Sequence, residues 1–214
     1  MKPNKINIKA AITAVGGYVP KDFISNKDLE KLVDTNDDWI TARTGIKKRR
    51  ILKDKGKGTS FLAINAAKDL IAKKKIDPET IDLVIVSTIT PDFHVASTAP
   101  TVASAINANN AYAYDLSAAC SGFLYGMSTA TSFIESGRYK KVLIIGADMM
   151  SSIVDYTDRS TSILFGDGAG AVLVEPSING YGWEDEYLRS DGIGAEWLNT
   201  VSYTHLTLPT IYSV

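Results

Sequence analysis

The stretch A-Y-A-Y-D-L-S-A-A-C-S-G-F-L-Y-G-M-S-T-A-T-S-F-I-E-S-G-R-Y-K-K-V-L-I-I, Ala111 to Ile145, changes its hydrophobic period twice. Ala111 to Asp115 reads as a strand. After Cys120 the period becomes helical, with Phe123, Leu124, Met127 and Ile134 on one face, and Gly137 supplies the stop. Val142-Leu143-Ile144-Ile145 then reads as a buried strand. A strand, a helix and a second strand in this order predict a layered α/β fold. Cys120, the only cysteine, falls at the strand-to-helix junction. There the free N–H groups and the positive end of the helix dipole favour a thiolate nucleophile. The competing reading is a cysteine packed as a small hydrophobe.

Outward from this stretch the alternation continues. Leu83-Val84-Ile85-Val86 predicts a buried parallel strand, preceded by the cap and first-turn proline of Asp77-Pro78-Glu79-Thr80. A loop from Pro91 to Ser97 leads to a helix around Thr101 to Ile106. Further back, Thr59 is the expected cap of a long helix carrying Phe61, Leu62, Ala66, Leu70 and Ile71, and Lys73-Lys74-Lys75 suit its C-terminus. Asp37-Asp38-Trp39-Ile40 opens a shorter helix. Ser25-Asn26-Lys27-Asp28 has the form of a capping box, with Leu29, Leu32 and Val33 as the apolar face behind it. Ile6, Ile8, Ala10 and Ile12 predict an opening strand closed by Gly16-Gly17. Beyond Ile145, the turn Phe165-Gly166-Asp167-Gly168 leads into a strand from Ala169 to Val174. No internal repeat or linker divides the chain before about residue 195. Val201 to Val214, rich in Thr and Ser, has no helical period and reads as an appended end.

Composition narrows the function. With 23 basic and 24 acidic residues the net charge is −1, which disfavours a nucleic-acid partner. Lys47-Lys48-Arg49-Arg50 is the one basic cluster; it reads as a solvated face, or more sharply as a contact for a ligand with several phosphates. One cysteine and no Cys/His spacing give no basis for a disulfide or a metal site. No signal peptide and no apolar run of about 20 residues is present, so a cytoplasmic, non-membrane protein is expected. Gly166, Gly168 and Gly170 form G-x-G-x-G leading into a strand, unlike the G-x-G-x-x-G of a dinucleotide site. A tight turn beside the cysteine loop is the expected role.

D-L-S-A-A-C-S-G-F at Asp115 to Phe123 resembles the active-site segment of the β-ketoacyl-acyl carrier protein synthase III family, thiolase-fold condensing enzymes that initiate type II fatty acid synthesis. T-N-D-D-W-I-T-A-R-T-G-I at Thr35 to Ile46, D-x-T-D-R at Asp155 to Arg159 and I-L-F-G-D-G-A-G-A at Ile163 to Ala171 carry the same resemblance, in order. It implies a mixed, mostly parallel five-stranded sheet flanked by helices over residues 1–198, forming the N-terminal half of a thiolase-like fold. Residues 199–214 would be a tail foreign to the family, with the C-terminal half missing. The implied chemistry is acyl transfer from acyl-coenzyme A to Cys120, then decarboxylative condensation with malonyl-acyl carrier protein; no further cofactor is implied. The Cys120 N–H would donate to the oxyanion.

The resemblance places Trp39, Arg43 and Arg159 around the adenine of coenzyme A, with Thr35, Thr44, Ile163 and Leu164 in the same substrate-binding set and Phe165 in the tunnel wall. It also implies a homodimer, in which the loop holding Phe93 and Val95 reaches the partner's acyl pocket. Val95 stands where many relatives carry a ring, which implies room for a longer or branched primer. The family's condensing histidine and asparagine belong to a second half, and neither His94 nor His205 matches them. Condensation by this chain alone is therefore expected to be absent or weak. The alternatives are another thiolase-fold acyltransferase, of hydroxymethylglutaryl or polyketide type, and a non-catalytic fragment with a structural cysteine.

Overall fold

The computed structural model describes residues 8–177 and 180–193. Its central sheet has the order β1 (Ala10–Tyr18), β7 (Asp167–Pro176), β6 (Val142–Met149), β4 (Leu83–Ser87) and β5 (Tyr112–Leu116). β4 pairs in parallel with β5 and β6, whereas β7 runs antiparallel between β6 and β1. All strands but β7 thus point one way, as the expected mixed sheet requires.

Every residue of β4 is buried, because alternate side chains feed two separate cores. Val84, Val86, Leu143, Ile145 and Leu173 pack under α3 (Thr59–Lys74) and α4 (Thr98–Ala105). Leu83, Ile85, Val142, Ile144 and Val174 pack on the other face against Met127, Ala130 and Ile134 of α5 (Gly122–Glu135). The two parallel crossovers diverge. α4 carries the chain from β4 to its neighbour β5, and α5 carries it back past β4 to β6, so the order of strands reverses at β4.

A smaller layer sits at one edge. β2 (Phe23–Ser25) pairs antiparallel with β3 (Lys48–Arg50), and α1 (Asn26–Leu29), α2 (Asp37–Thr44) and α6 (Arg159–Ser162) gather near a small core of Leu29, Ile40 and Ile163. The capping box is present: Ser25 accepts the Asp28 N–H while the Asp28 carboxylate accepts the Ser25 N–H. The Ser25 hydroxyl, which donates to the same carboxylate, and then that N–H bond hold the Asp28 pKa below its ordinary value.

Several local expectations are corrected. β1 does not close at Gly16-Gly17 but runs through them, because Gly16 lets α3 lie on the strand: a Cβ there would stand 2.5 Å from Leu70 N. Ile12 is exposed, and Ile6 lies outside the described residues. Thr59 does not cap α3. Gly58 holds that position, Asp92 Oδ1 accepts the Ser60 N–H at 3.0 Å, and the buried Thr59 hydroxyl donates to Thr90 O at 2.5 Å. Leu124 and Leu32 are exposed, outside their expected apolar faces. α4 begins at Thr98 because the Asp115 carboxylate accepts the Thr98 and Ala99 N–H groups at 2.6 and 2.7 Å. Arg49 is not part of a solvated face; it is 2% exposed. No described helix is long and apolar enough to cross a membrane.

Candidate active site

β5 ends at Leu116, and the chain turns sharply through Ala119, whose φ of 45° lies in the left-handed region. Holding a non-glycine residue there costs about 1–3 kcal/mol, a strain that concentrates at functional turns. A short 3-10 turn over Ala119–Ser121 carries Cys120, and α5 begins immediately at Gly122. Gly122 lets α5 start close against the end of β4: a Cβ would stand 2.0 Å from Ser87 Oγ and 3.3 Å from Ser87 Cβ. Cys120 is exposed, which removes the reading of a buried structural thiol. Its N–H has no acceptor among the described residues.

Cys120 opens into a cavity of about 340 Å³ lined by Ser87, Ala119, Phe123, Gly146, Ala147, Asp148, Met150, Gly166 and Gly168. The location follows from topology. The C-terminal ends of parallel β4, β5 and β6 converge here, at the place where strand order reverses, and such crevices are where open α/β sheets bind ligands. The start of antiparallel β7 closes one side. Gly166 and Gly168 thus do bring backbone beside the cysteine turn; Gly170 makes no close approach. The Asp148 carboxylate stands on the cavity wall. One oxygen accepts Thr88 Oγ1 at 2.9 Å, Ile89 N at 2.9 Å, Thr90 N at 3.2 Å and Thr90 Oγ1 at 3.0 Å, tying the loop after β4 to β6. Asp167 makes the matching tie on the β7 side, accepting Leu52 N at 2.7 Å, Ser151 N at 2.8 Å and Ser151 Oγ at 2.7 Å.

The second cluster lies in the small layer. The Arg43 and Arg159 guanidinium carbons stand 4.3 and 4.2 Å from the Trp39 ring centroid, so both cations rest on one indole. Thr44 closes α2, its hydroxyl donating to Ile40 O at 2.8 Å and accepting Ile46 N–H at 3.0 Å. The buried Thr35 hydroxyl has no partner among the described residues. Ile163 packs in the small core, Leu164 is exposed and Phe165 is half-buried next to the cavity-lining Gly166. The segment from Arg159 to Gly168 therefore connects the Trp39 cluster with the Cys120 cavity. Burial and the Asp167 charge push Tyr156 up to about 12, and its buried hydroxyl lacks a partner among the described residues.

Phe93 and Val95 are 69% and 98% exposed and are not among the cavity-lining residues. His94 is exposed and also absent from the lining; His205 and the tail from Val201 lie outside the described residues. Among the described residues no His/Cys/Asp/Glu group could hold a metal ion. Sequence reasoning missed Ser87, Asp148 and Met150. The available signal was polar residues near the ends of apolar strand runs, since Ser87 follows Val86 and Asp148 lies one residue before the end of β6. It also missed Arg49 and Asn26, whose burial has no signature in a basic run and a capping box.

These features define a class: a thiolase-like layered α/β fold with a cysteine on the strand-to-helix turn at the sheet's switch point. A family profile described as 3-oxoacyl-(acyl-carrier-protein) synthase III matches residues 114–192. The β-ketoacyl-acyl carrier protein synthase III 2 of Bacteroides thetaiotaomicron is 50% identical over 97% of this chain and 62% of that protein. The synthase III of Chlorobaculum tepidum is 52% identical over 94% and 60% respectively. The crystal structure of the Thermus thermophilus synthase III superposes with a TM-score of 0.83 at 42% identity, over 87% of this chain and 57% of that one. The chain is similar to β-ketoacyl-acyl carrier protein synthase III proteins and spans about three fifths of the length of the curated relatives it matches.

Proposed function

We propose that Cys120 is the acyl acceptor of an initiating condensing enzyme. The thiolate attacks the thioester carbon of acyl-coenzyme A, the C–S bond to coenzyme A breaks, and the acyl group remains on Cys120 as coenzyme A leaves as the thiol. The free Cys120 N–H supports the oxyanion formed on the way. The observation that carries this reading is an exposed cysteine on a strained turn opening into the cavity at the strand ends. Trp39, Arg43 and Arg159 offer an aromatic and cationic surface for the nucleotide. Thr35, Thr44, Leu164 and Phe165 lie on the segments that frame it, while Ile163 acts from the core beneath. In the whole enzyme a malonyl-acyl carrier protein thioester loses carbon dioxide and its carbanion takes the acyl group. No histidine lines the cavity among the described residues, so the step assigned to this chain is acylation. A cytoplasmic homodimer, with the Phe93 and Val95 loop reaching the partner's pocket, completes the reading.

Iodoacetamide labelling of Cys120 with and without acyl-coenzyme A tests it. Labelling should be fast, and prior incubation with acetyl-, isobutyryl- or octanoyl-coenzyme A should block it. Slow labelling with an ordinary thiol pH profile, unchanged by any thioester, would favour a non-catalytic fragment. Equal protection by branched or longer acyl groups is expected from Val95; strong acetyl preference would contradict a widened pocket.

A further inference from the structure

Arg49 is a buried guanidinium, 2% exposed, that forms no ion pair among the described residues. Burying a cation against neutral groups alone is costly, so its partners bear on its purpose. Nε and one terminal nitrogen donate to Ile163 O at 2.8 and 2.6 Å, and the other donates to Asn26 Oδ1. Ile163 is the C-cap residue immediately after α6, the helix opened by Arg159. Asn26 Nδ2 in turn donates its two hydrogens to Asp37 Oδ1 at 2.5 Å and Ile46 O at 2.9 Å, holding the start of α2, the helix of Trp39 and Arg43, and the turn that follows it. The planar fork matches a carbonyl and an amide at fixed separation, which a lysine cannot reproduce.

We infer that the Arg49–Asn26 bracket is a positioning element that sets the gap between α2 and α6, and so the geometry in which Trp39, Arg43 and Arg159 receive the nucleotide of coenzyme A. This rests on the nucleotide reading of that cluster. Arg49 is not itself among the residues lining the Cys120 cavity, although its Cβ packs beside Gly166, which is; its guanidinium acts through the two helices.

The test is equilibrium titration of the full chain, and of Arg49→Met and Arg49→Lys, with coenzyme A and with pantetheine, which lacks the nucleotide. The wild type should bind coenzyme A more tightly than pantetheine. Arg49→Met should weaken coenzyme A about 10-fold or more, leaving pantetheine affinity and the Cys120 iodoacetamide rate unchanged, and Arg49→Lys should be intermediate. Equal loss for both ligands, or no loss for either, overturns the positioning role. A wild type that binds the two ligands equally overturns the nucleotide reading itself, and the inference with it. If Arg49→Met does not fold by circular dichroism, Arg49→Lys carries the same comparison.

Discussion

The Cys120 cavity and the Trp39 cluster are built by opposite means. The cavity is made of strand ends, glycines and one strained turn, and its walls are tied by carboxylates that accept backbone and hydroxyl groups. Its shape is a property of the sheet. The Trp39 cluster stands on helices of eight and four residues over a core of few side chains, joined by one guanidinium and one amide. Such short helices have little intrinsic stability. On the proposed reading, chemistry is placed on the rigid layer, and nucleotide recognition on a part whose geometry depends on individual side chains.

The contrast is broken most severely at the cysteine itself. Cys120→Ala should abolish acyl transfer while leaving the melting temperature and coenzyme A affinity near wild type, since the side chain is exposed; a large loss of stability would show that the thiol is structural. Next, Gly122→Ala should cost about 1–3 kcal/mol in denaturant unfolding and sharply reduce Cys120 labelling, because the added methyl must displace Ser87 at the end of β4. Unchanged labelling would mean the turn is less constrained than its contacts imply.

On the other side, Trp39→Ala should weaken coenzyme A by up to about 10-fold through lost stacking and cation–π contact. Pantetheine should be unaffected, so parallel weakening of both would place the nucleotide elsewhere.

The smallest effect is expected at Tyr156, beneath the cluster. Its value is raised from 10.0 to about 12, so the folded state keeps that proton longer than the unfolded chain. The associated stability is full below about pH 10 and is lost as pH climbs toward 12. Tyr156→Phe should make this alkaline loss shallower without lowering stability at neutral pH, because the hydroxyl it removes is buried without a partner among the described residues. Tyr112 and Tyr114 are also raised, so some slope should remain. An unaltered slope would show that Tyr156 is not buried as described.

How much was legible in the sequence follows the same division. The strands through Leu83 and Val142, the long helix before the lysines and the turn at Cys120 are written as continuous local patterns, and each formed where expected. Trp39, Arg43 and Arg159 were legible only through family resemblance, and they do meet. What was hidden depends on partners distant in sequence. Gly16 reads as a turn until α3 is seen resting on it, Thr59 reads as a cap until Thr90 claims its hydroxyl, and Leu124 fits a helical face that the sheet never covers. Arg49 reads as one cation of four, yet its fork is satisfied by a carbonyl 114 positions away.

Intact-protein mass spectrometry after incubation with acyl-coenzyme A tests the central claim most directly. A single acyl adduct that maps to Cys120, saturates with acyl-coenzyme A and disappears in Cys120→Ala is the predicted result. No adduct, or one that persists in Cys120→Ala, would contradict it.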